Sequence, residues 1–223
     1  SLPYMDPNNM AESEVGSEHV KAITQPYEPG STFKSVSAMA ILESKAMGPE
    51  TTMFCPSTIS ANDYDVSDSH EREGATYSLR EILNRSSDVG ISLAMENAGF
   101  PYLNDAIKRY HLTEATGIDY PGEGGGSVLD FNQWGKIVGY NISFGQGISV
   151  TPLQMVRFYG CVANDGVMVT PHFLLSKPQS GEVAEWPEET VTEDMEALRD
   201  LRSMLRSVVT DGTGVKADIP GYE

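Results

Sequence analysis

The feature that most restricts how this chain can fold is a sharp break followed by an unbroken run. Pro29-Gly30 interrupts the incoming chain, and no Gly or Pro then occurs before Gly48-Pro49. Residues 33–45 are rich in Ala, Ser, Met and Leu, so the punctuation predicts a helix that begins at or near Ser31. Ser31 and Lys34 would then lie on one face, one turn apart, with side-chain ends close enough to share a proton. A serine hydroxyl is a weak nucleophile until a neighbouring base removes that proton. A lysine amine can do so only when neutral, and burial at the foot of an apolar helix lowers its pKa from about 10.4. The partial positive charge of a helix N-terminus favours both the neutral amine and a developing alkoxide. Serine is also a common helix cap and lysine a common first-turn residue, so the pair alone does not separate cap from catalyst.

At 223 residues the chain can hold one large domain or two small ones, with ample core. Its 15 Lys and Arg stand against 32 Asp and Glu, a formal net charge of −17. That balance argues against nucleic-acid binding, which needs a basic stripe, and suits a soluble chain. No apolar run approaches the roughly 20 residues that span a bilayer, and no signal peptide is present. The abrupt opening S-L-P-Y-M-D-P-N reads as a cloned piece of a longer protein. Cys55 and Cys161 are too few for a disulfide framework; two free thiols are expected, with one disulfide as the alternative. No His or Cys cluster has metal-ligand spacing, and neither a metal nor an organic cofactor is expected.

Residues 1–16 are turn-rich, and 17–26 can carry one helical turn. Residues 51–74 contain short β-like pieces and read as a surface excursion with small strands. Ser78-Leu79-Arg80-Glu81 has the spacing of a capping box that opens a helix over 79–84. Residues 85–88 interrupt that pattern, 89–97 resume it, and Gly99 stops it. Further helices are expected over 102–111 after Pro101, around 132–139, and over 153–164 with Thr151 as cap and Pro152 first. Residues 167–175 are the best strand candidate and 177–189 a polar linker. Thr192 is expected to cap a long amphipathic helix over 193–209. The chain should therefore be mostly helical with little sheet.

These motifs carry a family resemblance. Y-E-P-G-S-T-F-K at 27–34 resembles the active-site serine segment of the penicillin-binding proteins, bacterial transpeptidases whose first motif is S-x-x-K. N-R-S-S-D-V-G at 84–90 resembles their second motif, S-x-N, in the helix-break-helix setting the family uses. T-G-I at 116–118 with P-G-E at 121–123 is similar to a T-G-I-x-x-P-G-E loop. S-F-G-Q-G-I-S-V-T-P-L-Q at 143–154 nearly matches the S-F-G-Q-G loop and its following helix, and A-N-D-G at 163–166 an A-N-x-G turn. G-T-G at 212–214 and I-P-G-Y at 219–222 resemble the approach to the third motif, K-T-G, which does not occur in this chain. The matches are most similar to class B enzymes of elongation, division or sporulation.

The resemblance implies an α+β fold: the mostly helical part of the penicillin-binding protein and serine β-lactamase-like fold, with most of the central antiparallel sheet missing. It implies one partial transpeptidase domain over 1–223, truncated at both ends. Ser31 would be the nucleophile, Lys34 the base for acylation and Ser86 a proton relay to the leaving amine. Asp88 takes the substrate-facing position where the family more commonly has asparagine. A carboxylate beside Lys34 favours the ammonium, so Asp88 must point away, share a proton, or leave the base to be made in another way. The bland reading is that Ser86, Ser87 and Asp88 only end one helix and cap the next.

Peptidoglycan stem peptides and β-lactam antibiotics are the implied ligands, with cell-division or elongation membrane proteins as candidate partners. The implied location is the extracytoplasmic face of the bacterial cell membrane, through an anchor outside this chain. Loss of the K-T-G strand removes an oxyanion donor, which typically costs about 10²- to 10³-fold in rate, so this piece alone is expected to be a poor catalyst. The alternatives are a β-lactam sensor, a non-catalytic scaffold of the same fold, and a serine β-lactamase or D,D-carboxypeptidase, against which the absence of a dedicated deacylation base counts.

Overall fold

The computed structural model describes residues 6, 8–17, 19–61, 63–177 and 179–221. Residues 1–5 and 7 of the stretch read as loop lie outside the described residues, as does Tyr222 of the I-P-G-Y segment. One helical turn, α1 (Lys21–Thr24), precedes the break at Pro29-Gly30. The break then starts a helix: Gly30–Phe33 is one 3₁₀ turn that runs directly into α2 (Lys34–Ser44). Lys45, at φ 61°, ends α2 in the left-handed region.

The other helices are α3 (Leu79–Asn84), α4 (Asp88–Ala98), α5 (Phe100–Arg109), α6 (Lys136–Ser143), α7 (Pro152–Ala163) and α8 (Met195–Asp211). Every residue of α2 from Lys34 to Leu42 is buried, the mark of a helix enclosed on all sides. It packs against α4, α5 and α8. Its serines are tolerated there because their hydroxyls find acceptors: Ser35 Oγ donates to the Thr32 carbonyl and Ser37 Oγ to that of Ser143, both at 2.7 Å. Near its C-terminus, Glu43 accepts at one oxygen from Arg109 (2.8 Å), the Tyr110 hydroxyl (3.2 Å) and Thr192 (2.7 Å). This carboxylate ties α2 to α5 and to the approach to α8.

The capping box before α3 is formed, with Glu81 N–H donating to Ser78 Oγ (3.2 Å) and Ser78 N–H to Glu81 Oε2 (2.8 Å). A second box opens α7, where Thr151 and Gln154 exchange bonds of 2.6 and 3.2 Å. Three helix expectations need correction. The helix expected over 132–139 is a 3₁₀ turn, Phe131–Gln133, then α6 four residues later than foreseen, because Gly135 adopts an extended conformation between them. The helix after Gly99 begins at Phe100 and ends at Arg109, two residues early at both ends. The last helix is capped by Asp194, whose Oδ1 accepts from Ala197 N–H at 3.0 Å; the Thr192 hydroxyl donates to Glu43 and accepts from Asp194 N–H, ahead of the helix.

The strands are β1 (Thr52–Cys55), β2 (Thr58–Ala61), β3 (Tyr64–Ser67), β4 (Ala75–Ser78), β5 (Ser127–Val128), β6 (Ile148–Ser149), β7 (Val167–Val169), β8 (Ser176–Lys177), β9 (Glu182–Val183) and β10 (Glu188–Thr190). They pair only two by two, always antiparallel: β1 with β4, β2 with β3, β5 with β6, β7 with β10 and β8 with β9. The α+β class with little sheet holds. The strand expected over 167–175 stops at Val169, and its partner comes from the stretch read as linker. Cys55 and Cys161 are both free and buried, so the disulfide alternative is not realised. Among the described residues, no helix is long and apolar enough to cross a membrane. Between α7 and α8 runs an apolar groove of about 710 Å³, lined by Val162, Leu205, Val209 and Ile219 among others.

Candidate active site

Ser31 lies in the first turn of the 3₁₀ segment, exposed, while Lys34 one turn on is only 2 % exposed. The helical rise brings the two ends together: Lys34 Nζ is 3.1 Å from Ser31 Oγ. Across the interface, the junction between α3 and α4 meets the same amine. Lys34 Nζ is 2.6 Å from the Ser86 carbonyl oxygen, 3.0 Å from Ser86 Oγ and 2.5 Å from Asp88 Oδ1. All four residues singled out in the sequence therefore converge on one nitrogen. Ser86 adopts φ 54°, a region non-glycine residues seldom occupy, and this turns its carbonyl and hydroxyl toward Lys34. The bland reading of 86–88 is half right, since Ser87 does cap α4 by accepting from Gly90 N–H at 2.9 Å.

The S-F-G-Q-G loop lies directly against the serine segment. Tyr27 and Val150 exchange backbone bonds of 2.9 and 3.0 Å, Gly30 N–H donates to the Gly145 carbonyl at 3.0 Å, and Gly147 N–H donates to Glu28 at 2.9 Å. Gly145 has φ +83°, and a Cβ there would fall 2.2 Å from the Gly30 carbonyl oxygen. Only glycine permits that approach. The P-G-E match serves a different loop. Its Glu123 accepts from the Thr116 N–H (2.7 Å) and hydroxyl (2.5 Å) and from Gly117 N–H (3.2 Å), closing the T-G-I turn.

Electrostatics at the amine run in opposite directions. Burial pushes the Lys34 pKa down, the hydrogen bond and charge of Asp88 push it up, with a smaller upward push from Asp68, and burial prevails. Asp88 is a quarter exposed, so water screens part of its influence, which is consistent with that outcome. Of the three alternatives for Asp88, pointing away from Lys34 is not realised: the two are in contact. Among the described residues no group of three or more His, Cys, Asp or Glu is arranged to hold a metal ion.

One supporting residue was missed in the sequence. Asp68, just past β3, accepts from the Ser87 hydroxyl and the Val89 N–H, which flank Asp88. It lay in a stretch read as a surface excursion, and its partners are about twenty residues away, beyond the reach of periodicity.

An exposed serine on a helix start, a buried lysine one turn on and a second serine from a facing helix junction form a site suited to acyl transfer through serine. The chain matches the penicillin binding protein transpeptidase domain over residues 2–223, and it belongs to that family. It is 30% identical over 231 residues to the penicillin-binding protein PbpB of Mycobacterium tuberculosis, covering 99% of this chain and 34% of that protein. It is also 30% identical to the peptidoglycan D,D-transpeptidase FtsI of Escherichia coli, over 99% of this chain and 36% of the relative. The crystal structure of penicillin binding protein 3 from Mycobacterium tuberculosis, complexed with aztreonam, superposes with a TM-score of 0.86 at 30% identity. It covers 98% of this chain and 50% of the other. The chain thus spans about a third of the length of these curated relatives.

Proposed function

We propose that the protein containing this domain is a peptidoglycan D,D-transpeptidase that works through Ser31. The observation that carries the reading is the buried Lys34 amine, 3.1 Å from Ser31 Oγ and 3.0 Å from Ser86 Oγ. Neutral Lys34 accepts the Ser31 proton as Oγ attacks the carbonyl carbon between the two D-Ala residues of a stem peptide. The first-turn N–H of Ser31 has no intrahelical partner and is available to the developing oxyanion. Ser86 then passes the proton from Lys34 to the departing nitrogen, the C–N bond breaks, and terminal D-Ala leaves. An amine of a neighbouring stem attacks the acyl-enzyme and restores the Ser31 hydroxyl. β-Lactams enter the same path, but their leaving nitrogen stays tethered to the acyl group.

The amine must be neutral before attack, and Asp88 Oδ1, 2.5 Å away, is the nearest negative partner for it once it is protonated. In this reading the Asp88 carboxylate is the counter-ion of Lys34 once the amine has accepted the proton of Ser31. The intact protein acts at the outer face of the cell membrane, held there by a part of the protein other than this domain.

Labelling the whole protein with a fluorescent penicillin tests the assignment. Stable labelling that vanishes in Ser31→Ala is expected. Rapid release of the label would indicate a β-lactamase, and the absence of label in the wild type a non-catalytic scaffold of the same fold.

A further inference from the structure

One half-buried carboxylate outside the Ser31, Lys34 and Ser86 group is aimed at the bend that carries Ser86. Asp68, 11% exposed, bonds to both neighbours of Asp88: the Ser87 hydroxyl reaches its two oxygens at 3.0 and 2.9 Å, and Val89 N–H donates to Oδ1 at 3.0 Å. Arg72 in turn fixes Asp68, with Nε 2.6 Å from Oδ2. Arg72 also donates to the Cys55 and Glu73 carbonyls at 2.9 and 3.0 Å, and its guanidinium lies 5.2 Å over the Tyr77 ring. The bend is thus bolted, through one ion pair, to the end of β1 at Cys55, to Glu73 just before β4 and to Tyr77 within β4. Burial pushes the Asp68 pKa up, but the Val89 N–H, Arg72 and Ser87 together outweigh it and hold the group below the usual carboxylate range. Asp68 is therefore charged at neutral pH.

What the clamp holds is not a relaxed turn. Ser86 stands at φ 54°, and such a conformation persists only where its surroundings over-determine it. Released, the bend would carry the Ser86 hydroxyl and the Asp88 carboxylate off the Lys34 amine. We propose that Asp68 is a positioning residue for Ser31 acylation: by fixing residues 87 and 89 it sets where Ser86 and Asp88 stand around Lys34. The proposal rests on the reading of Ser31 and Lys34 given above, and it adds a determinant that touches neither substrate nor nucleophile.

The test is the rate of Ser31 acylation by benzylpenicillin in the whole protein, followed against antibiotic concentration and pH, with a thermal melt of each variant. Asp68→Asn is expected to lower the saturating acylation rate about 10- to 100-fold, the scale of an ångström of misplacement, and to change the apparent penicillin affinity less than about 3-fold. The charged groups acting on the Lys34 amine are Asp88 from α4 and Asp68 from the end of β3. Asp68 pushes the amine's pKa up, so neutralising it moves the acid limb of the rate profile to lower pH. Asp68→Glu, which keeps the charge, is expected to keep the limb and recover part of the rate.

A purely structural role would lower the melting temperature and the labelled fraction, but not the saturating rate per labelled site. That result overturns the proposal. Should Asp68→Asn fail to fold, Ser87→Ala decides alone. It removes one of the two links together with the cap on Gly90 N–H, so a loss of at least about 3- to 10-fold in the saturating rate is expected, and an unchanged rate rejects the clamp. If wild-type protein takes no label at Ser31, the functional reading fails and the proposal falls with it; a labelled wild type with indifferent variants rejects the clamp alone.

Discussion

Gly145→Ala isolates the contact between the S-F-G-Q-G loop and the serine segment. Gly145 holds φ +83°, where an alanine costs about 1–2 kcal/mol. The added Cβ would lie 2.2 Å from the Gly30 carbonyl oxygen and 2.8 Å from both its carbon and its nitrogen. These are backbone atoms that no rotamer change can move aside, so an overpacking cost of about 1–3 kcal/mol adds to the first. The sum, about 2–5 kcal/mol, is a large share of a typical stability of about 5–15 kcal/mol. For a chain of this size each kcal/mol lowers the melting temperature by about 2–4 °C, so a drop of about 4–20 °C is expected. Relief of the clash must shift Gly30 and the adjoining Ser31, so acylation should slow as well. Gly160→Ala in α7 is the matched control: nothing lies within 4 Å of its added Cβ, and a gain of about 0.5–1 kcal/mol is expected there. Circular dichroism melts of both variants decide the point. A Gly145→Ala protein that melts with the wild type, or no lower than Gly160→Ala, would refute the packing argument.

Asp88→Asn removes the charge, and weakens the hydrogen bond, that hold the Lys34 pKa up against burial, so more amine is neutral at a given pH and the acid limb of acylation should move to lower pH. A limb that stays or rises counts against Asp88 as the counter-ion. Glu123→Ala strips three acceptor contacts from Thr116 and Gly117 and should cost about 1–3 kcal/mol in urea denaturation; a midpoint unchanged from wild type would show the loop closed by other means. Thr151→Ala opens the buried capping box of α7 and should cost about 1–2 kcal/mol in the same assay, a loss that an exposed cap would not reach.

The parts of the site that were legible in the sequence obey short-range rules. Ser31 and Lys34 meet because they are three residues apart on a helix whose start is punctuated by Pro29-Gly30. Ser78 and Glu81 cap α3 for the same local reason. Ser86 and Asp88 were found through the family motif, since no periodicity relates residue 34 to residues 52 and 54 positions later. What escaped depends on distant partners. Asp68 reads as one more surface acid until Ser87, Val89 and Arg72 are seen around it. Thr192 and Asp194 are both able to cap α8; Asp194 does so, while the Thr192 hydroxyl accepts from Asp194 N–H and donates to Glu43, some 150 residues away in sequence. Strand β10, Glu-Glu-Thr, is exposed at every position and so carries no alternation to read.

The most direct measurement is the pH dependence of the rate of Ser31 acylation by benzylpenicillin in the whole protein, with short mixing times and Lys34→Arg alongside. Burial holds the Lys34 amine below its ordinary value of 10.5, so the wild-type rate should climb to its half-maximum below that pH. Lys34→Arg, a cation that cannot deprotonate in this range, should lose about 10²- to 10⁴-fold and show no climb. A half-maximum at or above 10.5, or an arginine variant as fast as the wild type, would contradict a neutral lysine taking the proton of Ser31.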